Sequence, residues 1–96
     1  MFYVKIHNGS NSVVAICDEK LVGKKFCEGK VCLKVSEYFY KGNKMGIKDV
    51  EKIMLNAGNM NLVGEKSVNL ALNLGLIKKE FIMKINGVLH AQLCAF

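Results

Sequence analysis

The chain contains no arginine, proline or tryptophan, and all fourteen of its basic residues are lysines. Without arginine, bidentate guanidinium contacts to phosphate or guanine are excluded, and recognition of an anion falls to lysine point charges and backbone amides. The skew towards lysine, with nine asparagines beside it, fits A+T-rich coding or a thermophile's preference better than a local function. Long apolar runs are missing too. Stretches free of charge reach only about a dozen residues, short of the roughly 20 that span a bilayer. The opening "MFYVKIH" has neither the basic start nor the apolar core of a signal peptide. A cytoplasmic location with no membrane association is therefore expected.

Histidine is scarce, which restricts catalysis. A cysteine or serine nucleophile needs a base beside it and a third group to orient that base, and only His7 and His90 are present. Asp18 and Glu19 are adjacent, so their side chains diverge, and they read as carboxylates solvating a loop rather than an acid/base pair. Four cysteines remain: Cys17, Cys27, Cys32 and Cys94. No short ligand pair of the kind structural zinc sites use occurs among them, and neither a metal nor a cofactor is expected. With no secretory signal, a reducing compartment predicts four free thiols.

What is present suffices for one packed domain over residues 1–96. Apolar residues make up 51% and charged residues 23%, with no low-complexity run, so the composition is that of a folded chain. Phe2, Val4 and Ile6 alternate with Tyr3, Lys5 and His7, the period of a half-buried strand. "NGSN" then reads as a turn into the β-branched "SVVAIC", giving a hairpin over 2–17. Residues 18–29 carry no sustained period and read as an irregular connection. Val31, Leu33 and Val35 mark a third strand. "SEYFY" is either its bulged continuation or a single helical turn capped by Ser36, and "KGNKMG" reads as a loop.

Ile47, Val50, Ile53, Met54 and Ala57 recur at helical spacing, predicting a helix over 47–57 that Gly58 stops. In "NLVGEKSVNLALNLGLI", residues 61–77, Val68, Ala71, Leu72 and Leu76 share one side of a second helix. Gly75 then fits a left-handed stop. Near its start, Gly64 reads as the residue that admits the chain to the helix and not as a phosphate site. Glu65 in the first turn offsets the helix dipole and would repel an anion. The Asn86-Gly87 pair predicts a hairpin with Ile85 facing Val88, Met83 facing His90 and Phe81 facing Gln92. A short extended piece is expected near 60–63. Grouped strands and helices with tight hairpins predict an α+β fold: a two-layer sandwich of a mainly antiparallel sheet with two helices on one face. Val4, Ile6, Val14, Ile16, Leu33, Val35, Val50, Ile53, Met54, Val68, Leu72 and Leu76 form the expected core.

These segments in their collinear order, "FYVKIH", "CDEKLVGKKFCEGK", "LKVSEYFYKG", "NLVGEKSVNLALNLGLI" and "GVLHAQ", resemble a small archaeal family catalogued as domain of unknown function 424. Leu89 departs from its pattern, where a proline is commoner. The resemblance implies a small cytosolic protein with a two-layer α/β sandwich and no assigned activity. It also implies a loose association with translation-related proteins, which points to RNA or the ribosome.

Charge distribution points the same way. Residues 20–52 hold nine lysines and four acids, a net of +5, out of +6 for the whole chain. Lysines interleaved with aromatics suit phosphate contact plus base stacking, and they equally fit a solvated lysine-rich surface with the aromatics in the core. The expected contacts are Lys24, Lys25, Lys30, Lys34, Lys41 and Lys44 with Tyr38 and Tyr40, in a non-catalytic module that binds RNA or a ribonucleoprotein. The alternative is a small-molecule-binding protein or enzyme subunit that uses His90 and Gln92, which share a sheet face, with His7.

Overall fold

The computed structural model describes residues 1–9 and 12–94. Strand β1 (Phe2–His7) and strand β2 (Val13–Asp18) pair antiparallel, from Phe2 opposite Asp18 to His7 opposite Val13. The turn read at 8–11 lies partly outside the described residues.

The following segment departs from the sequence reading. Residues 18–29 contain a 3-10 turn (Glu19–Leu21) and strand β3 (Lys25–Glu28), which pairs with β4 (Val31–Lys34) as a separate two-stranded sheet. The Val31–Val35 pattern therefore belongs to a hairpin packed across the main sheet, not to a third strand within it. Glu28 pairs with Val31, leaving Gly29 and Lys30 as the loop, and Gly29 adopts φ 61°, as the first loop position of a type II′ turn requires. One step from the loop, Cys27 faces Cys32, and the two form a disulfide. The expectation of four free thiols is corrected accordingly. A compartment argument carries no information about register, and this loop sets the two cysteines opposite one another where backbones exchange no hydrogen bonds and side chains come closest. Cys17, buried, and Cys94, exposed, are free.

Of the two readings of "SEYFY", the helical turn is observed. Ser36 Oγ accepts the Phe39 N–H at 3.1 Å and caps α1 (Glu37–Tyr40). The expected loop after it holds β5 (Asn43–Met45), paired with the first half of β1. Helix α2 (Ile47–Asn56) follows, then β6 (Asn59–Val63) at the expected extended piece, running parallel to β2 with Val14 opposite Met60 and Cys17 opposite Val63.

Helix α3 (Glu65–Asn73) stops as its sequence predicts. Gly75 adopts φ 75°, its N–H donates to the Leu72 carbonyl, and the Leu76 N–H donates to the Ala71 carbonyl, both at 3.0 Å. This is the paired-bond Schellman stop. A 3-10 turn (Lys79–Phe81) leads to β7 (Met83–Ile85) and β8 (Val88–Cys94). Asn86 and Gly87 take φ 47° and 82° in the hairpin loop, and Ile85 faces Val88 and Met83 faces His90 as expected. Phe81 lies in the 3-10 turn, so it does not face Gln92.

The main sheet has the order β5-β1-β2-β6-β8-β7, antiparallel except between β2 and β6. The fold is α+β, with α2 and α3 packed on one face over Phe2, Val4, Ile16, Met60, Leu62 and Ala91. The opposite face carries a smaller layer, the β3–β4 hairpin and α1, over Ala15, Cys17, Val63 and Ile85. Most of the expected core is buried, while Ile53, Leu72 and Leu76 are half-buried against it. Ile6 is corrected: it is 54% exposed, lying beyond Val4, the last residue of β1 that β5 pairs with. Among the described residues no helix is long and apolar enough to cross a membrane.

Candidate nucleic-acid interface

The start of α3 answers one question the sequence leaves open. Gly64 caps the helix with φ 110° and ψ 153°, a region essentially reserved for glycine. Two amides of the first turn are already occupied: the Asp18 carboxylate accepts the N–H groups of Lys66 at 3.0 Å and Ser67 at 2.8 Å, and the Ser67 hydroxyl at 2.8 Å. Asp18, at the end of β2, is 6% exposed, so it does not solvate a loop as read from its place beside Glu19. An internal carboxylate therefore stands where an external phosphate would have to bind.

The hairpin layer presents a different chemistry. Phe26 and Leu33 point inward to the second core, so strand alternation turns Lys25, Cys27, Cys32 and Lys34 outward. Lys24, Lys25, Lys30 and Lys34 are all exposed, and none has a carboxylate within ion-pair distance among the described residues. Lys25 and Lys34 sit directly opposite one another, which costs stability. The acids of the layer are engaged elsewhere. Glu28 turns inward and accepts the Asn86 N–H at 2.8 Å, and Glu37 pairs with Lys41 one helical turn on, at 3.2 Å.

Tyr38 is 81% exposed, and Lys5 Nζ, which donates to the Tyr38 carbonyl, stands 4.8 Å from its ring centroid. This lysine on β1 was not among the expected contacts, although sharing the strand face of Tyr3 and His7 places it on this side. Tyr40 is corrected as a stacking residue: it is 3% exposed, and its hydroxyl donates to Asn61 Oδ1. Only an extended chain would have put Tyr38 and Tyr40 on one face, and the segment is helical. Lys44 also stands apart, bound to Glu19 at 2.7 Å. That hydrogen-bonded pair holds Lys44 above its ordinary value and Glu19 below its own.

The residues of the alternative site do not converge. His7 and His90 are separated by β2 and β6, and His7 lies at the Val13 end of the sheet while His90 lies at the Cys17 end. Strand spacing and rise put them roughly 19 Å apart. Each is used locally. His7 Nε2 donates to the Phe39 carbonyl at 2.7 Å and its ring stacks on Phe39 at 4.4 Å, while His90 Nδ1 donates to the Leu62 carbonyl at 2.9 Å. Gln92 is exposed. Clefts of about 360 and 420 Å³ flank the start of α3 and are lined by other residues, among them Tyr3, Lys20, Lys66 and Asn69. Among the described residues no group of three or more His, Cys, Asp and Glu is placed to hold a metal.

Beneath the hairpin layer, burial and the neighbouring Asp18 charge push the Cys17 thiol up to about 12, and burial raises the Tyr40 hydroxyl. The unfolded chain releases both protons at lower pH than the native protein does. Their contribution is thus complete below the ordinary thiol value of 9.0 and is lost as pH rises towards about 12. Stability should fall by up to about 1.4 kcal/mol per pH unit for Cys17 above pH 9 and by as much again for Tyr40 above its ordinary value of 10.0. Urea midpoints at pH 8, 9.5 and 10.5 should decline less steeply for Cys17→Ala than for the wild type, and parallel declines would count against this account.

The fold extends to a solved relative. The crystal structure of an uncharacterized conserved protein from Methanopyrus kandleri is similar to this chain with a TM-score of 0.76 and 27% identity, covering 96% of this chain and 89% of that one. No curated protein matches the chain. The family model described as protein of unknown function (DUF424) matches residues 6–96, and the chain belongs to that family.

Proposed function

We propose that the hairpin layer is a non-catalytic RNA-binding face, with Lys24, Lys25, Lys30 and Lys34 on phosphates and the exposed Tyr38 ring as a base-stacking platform. The observation that carries this is the set of four exposed lysines without carboxylate partners among the described residues, in the same layer as an open aromatic ring that Lys5 of β1 approaches. Lysines paired to acids are neutralised before any polyanion arrives. Unpaired ones retain condensed-counterion exchange as a driving force. A ring over which a cation is already poised suits single-stranded bases, whose faces are free to stack. Lys41 and Lys44, each held by a glutamate, contribute little in this reading.

The test is binding of single-stranded RNA by the wild type and by a Lys25→Glu/Lys34→Glu variant across a salt series. Two lost phosphate contacts should lower the log–log salt slope by about 1.4 and weaken binding about tenfold or more at low salt. Lys44→Glu should change affinity far less. Tyr38→Ala should weaken single-stranded RNA more than a duplex. If the wild type shows no salt-dependent RNA binding, or the reversed pair binds as well as it does, the reading is wrong.

A further inference from the structure

The outward face of the hairpin holds a second feature that does not depend on RNA. Cys27 and Cys32 are both exposed, and the next pair on the same face is Lys25 opposite Lys34. That lysine pair lies about 7 Å along the strands from the sulfurs. Glu28, the only acid of the hairpin, is turned to the inward face by its bond from the Asn86 N–H. The disulfide therefore sits in a locally positive, solvent-open environment, the setting that favours thiolate over thiol.

The hairpin also has other means of staying in place. Phe26 and Leu33 pack into the second core. At its base the Gly23 N–H donates to the Val35 carbonyl at 2.6 Å and the Val35 N–H to the Lys24 carbonyl at 2.8 Å, and at its tip Glu28 holds Asn86. Opening the sulfur bridge would leave the two cysteines facing each other. The remaining cysteines lack this arrangement: Cys17 is buried, and Cys94 is on β8 in the main sheet.

We propose that Cys27–Cys32 is a reversible thiol–disulfide exchange site for anionic low-molecular-weight thiols, with Lys25 and Lys34 drawing in the attacking thiolate and stabilising the departing one. A thiolate attacks one Sγ, a mixed disulfide forms as the Cys27–Cys32 bond breaks, and the electron pair leaves on the other Sγ, which takes a proton from water. A second thiolate attacks the mixed disulfide at the reagent's sulfur and releases the remaining cysteine as a thiolate, which is protonated in turn. Two reagent thiols are oxidised to one disulfide, and Cys27 and Cys32 gain the two electrons and two protons.

The experiment treats the oxidised full chain with reduced glutathione at neutral pH, quenches with acid, and alkylates for mass analysis. Cys27 and Cys32 should become modified while circular dichroism and the urea midpoint still report a folded protein, and oxidised glutathione should restore the bond. Lys25→Glu/Lys34→Glu should slow the glutathione reaction about fivefold or more at low ionic strength, an effect that salt should shrink and that neutral 2-mercaptoethanol should show less. Should that variant not fold, Lys25→Gln/Lys34→Gln serves the same comparison. A bond that resists glutathione until the protein is denatured, a reversed variant that reacts at the wild-type rate, or loss of cooperative unfolding on reduction would each overturn the proposal, the last by making the bridge a structural staple.

Discussion

Gly64→Ala is expected to destabilise the protein by about 3–5 kcal/mol, among the largest effects a single methyl group produces. Two causes act together. At φ 110° an L-residue is strained by itself, and an added Cβ would overlap the carboxylate of Asp18, with Oδ1 only 2.6 Å away. That carboxylate cannot simply yield, because moving it would break its hydrogen bonds from Lys66 and Ser67. Gly75→Ala is the natural control. Gly75 also has positive φ, at 75°, but nothing lies within 4 Å of the position its Cβ would take. Its cost should be only the left-handed penalty of about 1–2 kcal/mol. Urea midpoints at unchanged slope would measure both. Equal costs at the two glycines would show that the close approach to Asp18 is not what makes Gly64 necessary.

The contrast between these glycines also shows how far local sequence reaches. Gly75 is legible because its reason lies within six residues, in the helix it ends. Asn86-Gly87 is legible for the same cause, and so are the amphipathic helices and the alternation of β1. Gly64 could be placed at a helix start, but its necessity comes from Asp18 on a strand far away in the chain, which no local period reveals. Strand order is hidden likewise. The parallel pairing of β2 with β6 depends on a long connection, and the short apolar "NMNLV" says nothing about which neighbour it will choose.

The hairpin layer lies between these cases. A Gly-Lys loop with Cys27 and Cys32 placed symmetrically about it is a type II′ hairpin signal, and Phe26 and Leu33 then share the inward face. It is obscured by the single large apolar residue of β3 and by charges on both sides of it. The candidate site inherits that ambiguity. Lys25 and Lys34 follow from the hairpin register, whereas Tyr38 and Tyr40 part company only once Ser36 is recognised as a cap. The Glu37–Lys41 pair becomes visible with that same helical turn, but the Glu19–Lys44 pair joins a 3-10 turn to an edge strand and has no local signature.

Asp18→Ala should cost about 3–5 kcal/mol, comparable to Gly64→Ala but for the opposite reason, since it removes atoms rather than adding them. The carboxylate serves three donors: two amides of the first helical turn and the hydroxyl of Ser67, a residue with 0% exposure. Alanine leaves these groups without a partner where water does not replace one, and each unsatisfied buried group costs about 1–3 kcal/mol, partly relieved if the helix start frays. Asp18→Asn should cost less than alanine, because the carboxamide keeps one acceptor oxygen in place. The sharper measurement is the double-mutant cycle. With the Asp18 carboxylate gone, the three atoms that a methyl at position 64 would overlap are removed, while the backbone strain remains. Gly64→Ala should then cost less in the Asp18→Ala background than in the wild type, with a coupling energy of about 1 kcal/mol or more. Additivity within about 0.5 kcal/mol would mean that glycine and carboxylate act independently, and the link between the end of β2 and the start of α3 would have to be sought elsewhere.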